Sequence, residues 1–225
     1  MDAALSASSA AKPVGGEAVG FVGLGRMGLP IATRLHAAGY RLFVTSRTRE
    51  KAAPLLDAGA TWCDSPREVA EAVGMGLLFV MLPESKDTAR VLSGRRGVLK
   101  GASAGLLIVD LSTSAPEESR APAALLSEHS VLYADCPVGG SVDAAEKGTL
   151  SVFAGGGPAE LDRAEPALRA FASQVERMGP VGSGSAMKLT NNLLTTGQLV
   201  LLGETLALGE SMGLARERLL SILAS

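Results

Sequence analysis

The stretch AVGFVGLGRMGLPIATRLHAAG, residues 18–39, decides how the rest of the chain is read. Its first residues, 18–24, form a short apolar run of the kind that makes a buried strand. Gly23, Gly25 and Gly28 follow in G-x-G-x-x-G spacing, and residues 29–38 read as a helix closed by Gly39. The spacing has physical meaning in this strand–turn–helix context. The first glycine permits the tight turn, the second lets backbone approach a pyrophosphate, and the third lets helix and strand pack closely. The new helix presents free N–H groups and the positive end of its dipole to an anion. Gly23, Leu24, Gly25, Arg26, Met27 and Gly28 are therefore candidate dinucleotide-binding residues.

Outward from this turn the chain keeps alternating. Strands are predicted over 41–46, 77–82, 106–111, 131–136, 150–155 and 174–178. Helices are predicted over 50–58, from Ser65-Pro66-Arg67-Glu68 onward, over 85–92, from Pro116 with Ser114 as cap, and over 159–171. Ser65 with Glu68 makes a capping box, and Pro66 suits a first helical position. Alternation over this length predicts an α/β fold, a Rossmann-type doubly wound parallel sheet covered on both faces. This domain is expected over 18–182. Residues 1–17 read as a flexible tail, and 183–225 as the start of a helical domain. From Ser185 to Met212 there is no proline, which predicts one helix roughly 40 Å long. Its leucines go nearly all the way round, so the segment is expected to be buried by partners: either two chains pair through it, or the chain is a fragment of a longer product with an exposed apolar patch.

The end of the second strand separates NAD from NADP. An acid there reads the ribose 2′-OH, whereas arginine accommodates a 2′-phosphate. Here the segment is Thr45-Ser46-Arg47-Thr48-Arg49, with no acid before Glu50. Arg47 can pair with a phosphate, and Ser46 and Thr48 can donate hydrogen bonds. NADP is the expected cofactor, with NAD as the alternative.

Composition removes other classes. The 225 residues are 47% hydrophobic with net charge −2, which leaves no phosphate footprint for nucleic acid. Cys63, Cys136, His36 and His129 carry no metal-ligand spacing. His36 and His129 are expected at the surface, and Cys136 as a small buried hydrophobe. No stretch is long and apolar enough to span a bilayer. Residues 1–17 lack both the apolar core of a secretory signal and the arginines of a transit peptide. A cytoplasmic protein is expected, with organellar import weakly supported.

Several later segments, taken with the glycine turn, resemble the β-hydroxyacid dehydrogenase family, from residue 19 to the end. Met81-Leu82-Pro83 resembles its loop along the cofactor, and Asp110-Leu111-Ser112-Thr113-Ser114-Ala115-Pro116 its D-x-S-T-x-x-P segment. Asp135-Cys136-Pro137-Val138-Gly139-Gly140-Ser141 is similar to its substrate loop, continued by Glu146-Lys147-Gly148-Thr149-Leu150. Gly182-Ser183-Gly184, Lys188, Asn191 and Asn192 resemble its G-x-G…K-x-x-N-N motif. The resemblance implies an NAD(P)-dependent oxidoreductase acting on a short β-hydroxyacid or semialdehyde bearing a carboxylate. It implies cofactor contacts from Met81, Leu82, Pro83, Asp87 and Thr113, and substrate contact from Ser112.

On this reading Lys188 donates the proton in reduction, burial or a cation lowers its pKa, and Asn192, four residues on, keeps it in register. Backbone N–H groups of Gly139 and Gly140 could cradle a carboxylate as a nest, helped by Ser141. Two departures stand out. The family's Ser-Gly-Gly is Gly139-Gly140-Ser141 here, so one hydroxyl is lost or relocated. The family also continues beyond the position of Ser225 with helices that supply a second lysine, so an incomplete helical domain is expected. The 6-phosphogluconate dehydrogenase reading is weaker, because a histidine precedes the motif's asparagine there and this chain has Asn191. An imine reductase usually replaces the lysine. The remaining alternative is a catalytically weak or inactive cofactor-binding and oligomerisation module.

Overall fold

The computed structural model describes residues 16–223, so the tail expected over 1–17 lies almost wholly outside the described residues. Two compact units divide at Lys188 and Leu189.

The first unit begins with β1 (Ala18–Val22), α1 (Gly28–Ala37) and β2 (Arg41–Thr45). A 3-10 turn at Arg49–Ala52 then leads into α2 (Ala53–Asp57). The helix expected over 50–58 is thus split. Pro54 sits in the first turn of α2 and has no N–H with which to continue a helix from before it. Next come β3 (Thr61–Trp62), α3 (Pro66–Val73), β4 (Leu77–Val80), α4 (Ser85–Ser93), β5 (Leu107–Asp110), α5 (Pro116–Ser127) and β6 (Leu132–Asp135). After them run β7 (Val138–Gly139), α6 (Val142–Lys147), β8 (Leu150–Gly155), α7 (Pro158–Leu168) and β9 (Ala172–Gly179). The short elements β3, β7 and α6 carry too few residues for a periodic signal, and the sequence did not announce them.

The sheet order is β3-β2-β1-β4-β5-β6-β8-β7, with β9 on β8. It is parallel as far as β6. Beyond that the expected all-parallel sheet fails, because β8 runs antiparallel to both β6 and β7. Strand β7 continues in the direction of β6, and the short α6 then turns the chain back so that β8 returns alongside both.

Strand residues alternate between two cores. Val19, Phe21, Phe79 and Val109 face one, with Ile31 and Leu35 of α1 and Leu161 and Leu168 of α7. Val22, Leu78, Val80 and Ile108 face the other, with Val69 and Val73 of α3 and Leu126 of α5. Burying each such side chain is worth about 1.5–3 kcal/mol, and burial on both faces explains why these strands are apolar throughout. At α3 the expected cap forms, with the Ser65 hydroxyl accepting from the Glu68 N–H. At α5 it does not. Ser114 turns instead toward Ser119, 3.0 Å away, and the Glu118 carboxylate accepts the Ala115 N–H. His36 also departs from the expected solvated role, bonding the Ala58 carbonyl oxygen at 2.8 Å and so tying α1 to the end of α2.

Helix α8 (Ser183–Ser211) begins in the first unit and continues into the second, which also holds α9 (Arg216–Leu223). Gly213, at φ +85°, ends α8: its N–H bonds Glu210 while the Leu214 N–H bonds Gly209, the Schellman pattern. A Cβ at Gly209 would lie 2.6 Å from Leu219, so this glycine lets α9 approach α8. No described helix is long and apolar enough to cross a membrane.

Candidate functional site

A cleft of about 830 Å³ opens at the C-terminal ends of β1 and β4. This is where the strand order reverses, and in open α/β sheets ligands bind at such a crevice. Gly23, Leu24, Gly25, Arg26, Met27 and Gly28 form its floor. The three glycines answer to different demands. Gly23 has φ +105°, and a Cβ there would collide with the Met81 carbonyl oxygen. A Cβ at Gly28 would collide with the Gly23 carbonyl oxygen. Both are required by the protein's own packing. A Cβ at Gly25 would meet no heavy atom within 4 Å, so no protein contact explains that glycine. Its bare backbone at the mouth of α1 fits a pyrophosphate.

Ser46, Arg47 and Thr48 line one wall, and Met81, Leu82 and Pro83 the opposite one. Lys51, Asp64, Pro66 and Val91 line it as well and were not singled out from sequence. Lys51 follows Arg47 by four residues, a spacing that could have drawn attention to a second cation on the rim. Asp87 and Thr113 do not line the cleft. Asp87 sits in the first turn of α4, 3.9 Å from Arg90, and Thr113 is exposed beyond the end of β5.

Among the other expected residues, Ser112 is buried and engaged. Its hydroxyl accepts the Leu82 N–H at 3.0 Å and donates to Asp110, so it holds the cofactor-side loop and offers no free hydroxyl. The expected nest also takes another form. Gly139 belongs to β7, in register with Ser151, and only Gly140 is left-handed, at φ +128°. Ser141 caps α6 by accepting the Ala144 N–H at 3.2 Å, and its hydroxyl hydrogen remains available to donate.

Lys188 lies in the second turn of α8, half-buried, and burial holds its ammonium below the usual lysine value. Asn191 and Asn192 follow on the same helix and belong to the second unit. The start of α8 is fixed by Asp135, which is 1% exposed and accepts the N–H groups of Gly182 and Ser185, each at 2.7 Å. A Cβ at Gly184 would collide with the carbonyl oxygens of Phe153 and Asp135, so Gly182-Ser183-Gly184 brings α8 against the ends of β6 and β8. The role of Asp135 was missed, yet a signal existed: an acid at the end of an apolar strand must find partners. Neither cysteine is a candidate nucleophile. Burial pushes Cys63 up to about 11 and Cys136 well above the ordinary thiol range.

Comparison with known proteins agrees with this geometry. Residues 18–179 match the family described as the NAD binding domain of 6-phosphogluconate dehydrogenase. Over 176 residues, 78% of this chain, it is 33% identical to 2-(hydroxymethyl)glutarate dehydrogenase of Eubacterium barkeri, covering 58% of that protein. Over the same length it is 36% identical to mouse mitochondrial 3-hydroxyisobutyrate dehydrogenase, covering 52% of it. The chain thus spans little more than half the length of these curated relatives. The structure of Mycobacterium tuberculosis 3-hydroxyisobutyrate dehydrogenase with L-serine superposes with TM-score 0.83 at 30% identity, covering 92% of this chain and 69% of that one. The nucleotide turn, the D-x-S-T segment and the lysine helix stand together with these likenesses, and the chain belongs to the β-hydroxyacid dehydrogenase family.

Proposed function

We propose that this chain is the nucleotide-binding part of an NADP-preferring oxidoreductase that reduces a short, carboxylate-bearing semialdehyde or oxidises the matching β-hydroxyacid. The observation that carries the reading is Gly25, which no protein contact demands and which leaves backbone open over the cleft. Arg47 and Lys51 on the rim favour the extra 2′-phosphate of NADP. When bound, the nicotinamide supplies or takes the hydride. This chain's own residues supply orientation and the proton. Lys188 gives a proton to the carbonyl oxygen during reduction and takes one back during oxidation. Asp135 sets where that lysine stands by anchoring the first turn of α8. The backbone around Gly139 and Gly140, with the Ser141 hydroxyl, is the candidate carboxylate site.

The test is NADPH oxidation with glyoxylate, succinic semialdehyde and methylmalonate semialdehyde. Turnover with at least one, lost in Lys188→Ala, supports the assignment. Tight NADPH binding with no turnover on any of them selects the alternative reading, a cofactor-binding module.

A further inference from the structure

Two neighbouring strands end beside each other at the cleft. β3 runs parallel to β2, with Thr61 opposite Phe43 and Trp62 opposite Val44, and the Cys63 N–H extends the ladder to the Val44 carbonyl oxygen at 2.9 Å. The chain leaving β3 therefore emerges next to the chain leaving β2, which carries Ser46, Arg47 and Thr48. A dinucleotide with its pyrophosphate at the glycine turn has the ribose of its purine nucleoside at the end of β2. The purine on that ribose then reaches toward the exit of β3, where Asp64 and Pro66 line the cleft, with Leu82 and Val91 also in its wall.

Pro66, Leu82 and Val91 are apolar and half-buried, which suits the faces of a flat ring. Asp64 is the only acid among the residues that line the cleft, which otherwise offers the cations Arg26, Arg47 and Lys51. A carboxylate repels a polyanionic ligand unless it meets a donor on that ligand. It is also held in place. Its Oδ1 accepts the Trp62 indole N–H at 2.7 Å, and the Arg49 guanidinium lies over the Trp62 ring at 5.4 Å. The Asp64 backbone N–H donates to the Glu68 carboxylate at 2.8 Å. These contacts engage one carboxylate oxygen, and the other, Oδ2, has no donor among the described residues. A carboxylate offers acceptors only, so its complement is a donor on the edge of the base. Adenine carries one, its 6-amino group.

We propose that Asp64 is the residue that reads the base, its carboxylate accepting the 6-amino group of adenine between the apolar surfaces of Pro66, Leu82 and Val91. The proposal rests on the nucleotide-binding reading above and extends it from the phosphates to the purine. Hypoxanthine has the same ring and shape but a carbonyl oxygen at position 6. That oxygen would face the carboxylate acceptor against acceptor, and a site built for a donor rejects such an analogue.

The test is calorimetric titration of the full chain with NADPH and with its deaminated analogue, in which hypoxanthine replaces adenine. Heat is the readout because Trp62 touches Asp64. NADPH should bind about tenfold tighter than the analogue, the effect of one hydrogen bond to a charged acceptor. Asp64→Asn keeps an oxygen for the Trp62 indole, and its amide nitrogen then takes the place of Oδ2. There the preference for adenine should fall below about threefold. The ratio is read because loss of a negative charge shifts both affinities together. Asp64→Asn should leave the preference for NADPH over NADH as it was, whereas Arg47→Asp should lower that preference and keep the one for adenine. Equal affinity for the two bases in the unaltered protein overturns the proposal. So does a tenfold preference that survives in Asp64→Asn, and so does loss of all nucleotide binding in that variant, which would make Asp64 a structural residue. Failure of the unaltered protein to bind either nucleotide removes the nucleotide reading as well, so the two failures are distinguishable.

Discussion

In the strands of the first unit, Val19, Phe21, Leu78 and Ile108 have no exposed surface, whereas beyond Lys188 Leu193 is 77% and Leu199 70% exposed. Both regions are rich in aliphatic residues, so composition does not explain the contrast. The strands have two faces, and the sequence supplies helices for each. On α8 the apolar side chains point all round, and among the described residues of the second unit only Leu206 and Gly209 are buried. Glycine shows the same contrast. Gly23 and Gly28 are locked between backbone atoms, while a Cβ at Gly197 or Gly203 would meet nothing within 4 Å.

The largest effect should come from forcing a side chain into the tight half of that comparison. Gly28→Val should destabilise the first unit by more than about 4 kcal/mol, or abolish folding, because the blocking atom is backbone and cannot move aside. Chemical denaturation followed at Trp62 measures it. A near-normal midpoint would mean that the turn is looser than its geometry implies.

Lys188→Ala should lower kcat by about 10²–10⁴-fold with NADPH affinity nearly unchanged. Arginine should not rescue it, since guanidinium keeps its proton at usable pH. Burial lowers the Lys188 pKa, and in the proposed reduction the protonated lysine is the donor. Reduction should therefore fall with rising pH through a limb below the ordinary lysine value of 10.5, and Lys188→Ala should lack that limb. The stability consequence has the matching sign. The unfolded chain binds more protons in that window, so stability rises as pH approaches 10.5, and rises less in Lys188→Ala.

Smaller effects sharpen the contrast from its other side. Arg47→Asp should weaken NADPH binding by about 1–3 kcal/mol and leave NADH binding largely unchanged. The exposed leucines of α8 should make the protein associate at micromolar concentration, with Leu193→Glu and Leu199→Glu together reducing that association. Sedimentation of the unaltered protein as a clean monomer would contradict this. Gly197→Ala and Gly203→Ala, in the open half, should each stabilise α8 by up to about 1 kcal/mol.

How much could be read from sequence follows the same division. The nucleotide turn was legible because its three glycines stand between a strand and a helix, a context that gives each a separate physical duty. Strands β1 and β4 were legible because burial on both faces leaves no polar residue in them. The antiparallel step at β8 was not, since Val138–Gly139 pairs with a strand whose direction local patterning does not encode. The bonds of Ser112 and Ser114 were illegible for a related reason. Sequence offers one as a substrate contact and the other as a helix cap, and only the fold shows that Leu82 and Ser119 engage these two. Asp135 was legible in principle, because a strand that ends in a buried acid must find donors elsewhere, here at Gly182 and Ser185.

The central claim is that the glycine turn is a dinucleotide site selective for the 2′-phosphate. Titration of the full 225-residue chain with NADPH and with NADH, followed by Trp62 quenching, tests it most directly. Both should saturate, NADPH at least about tenfold tighter, the scale of one charge-assisted hydrogen bond. Gly25→Val should abolish both without lowering stability. Equal affinity for the two cofactors would contradict the assignment of Arg47, and no saturable binding of either would contradict the account of the cleft.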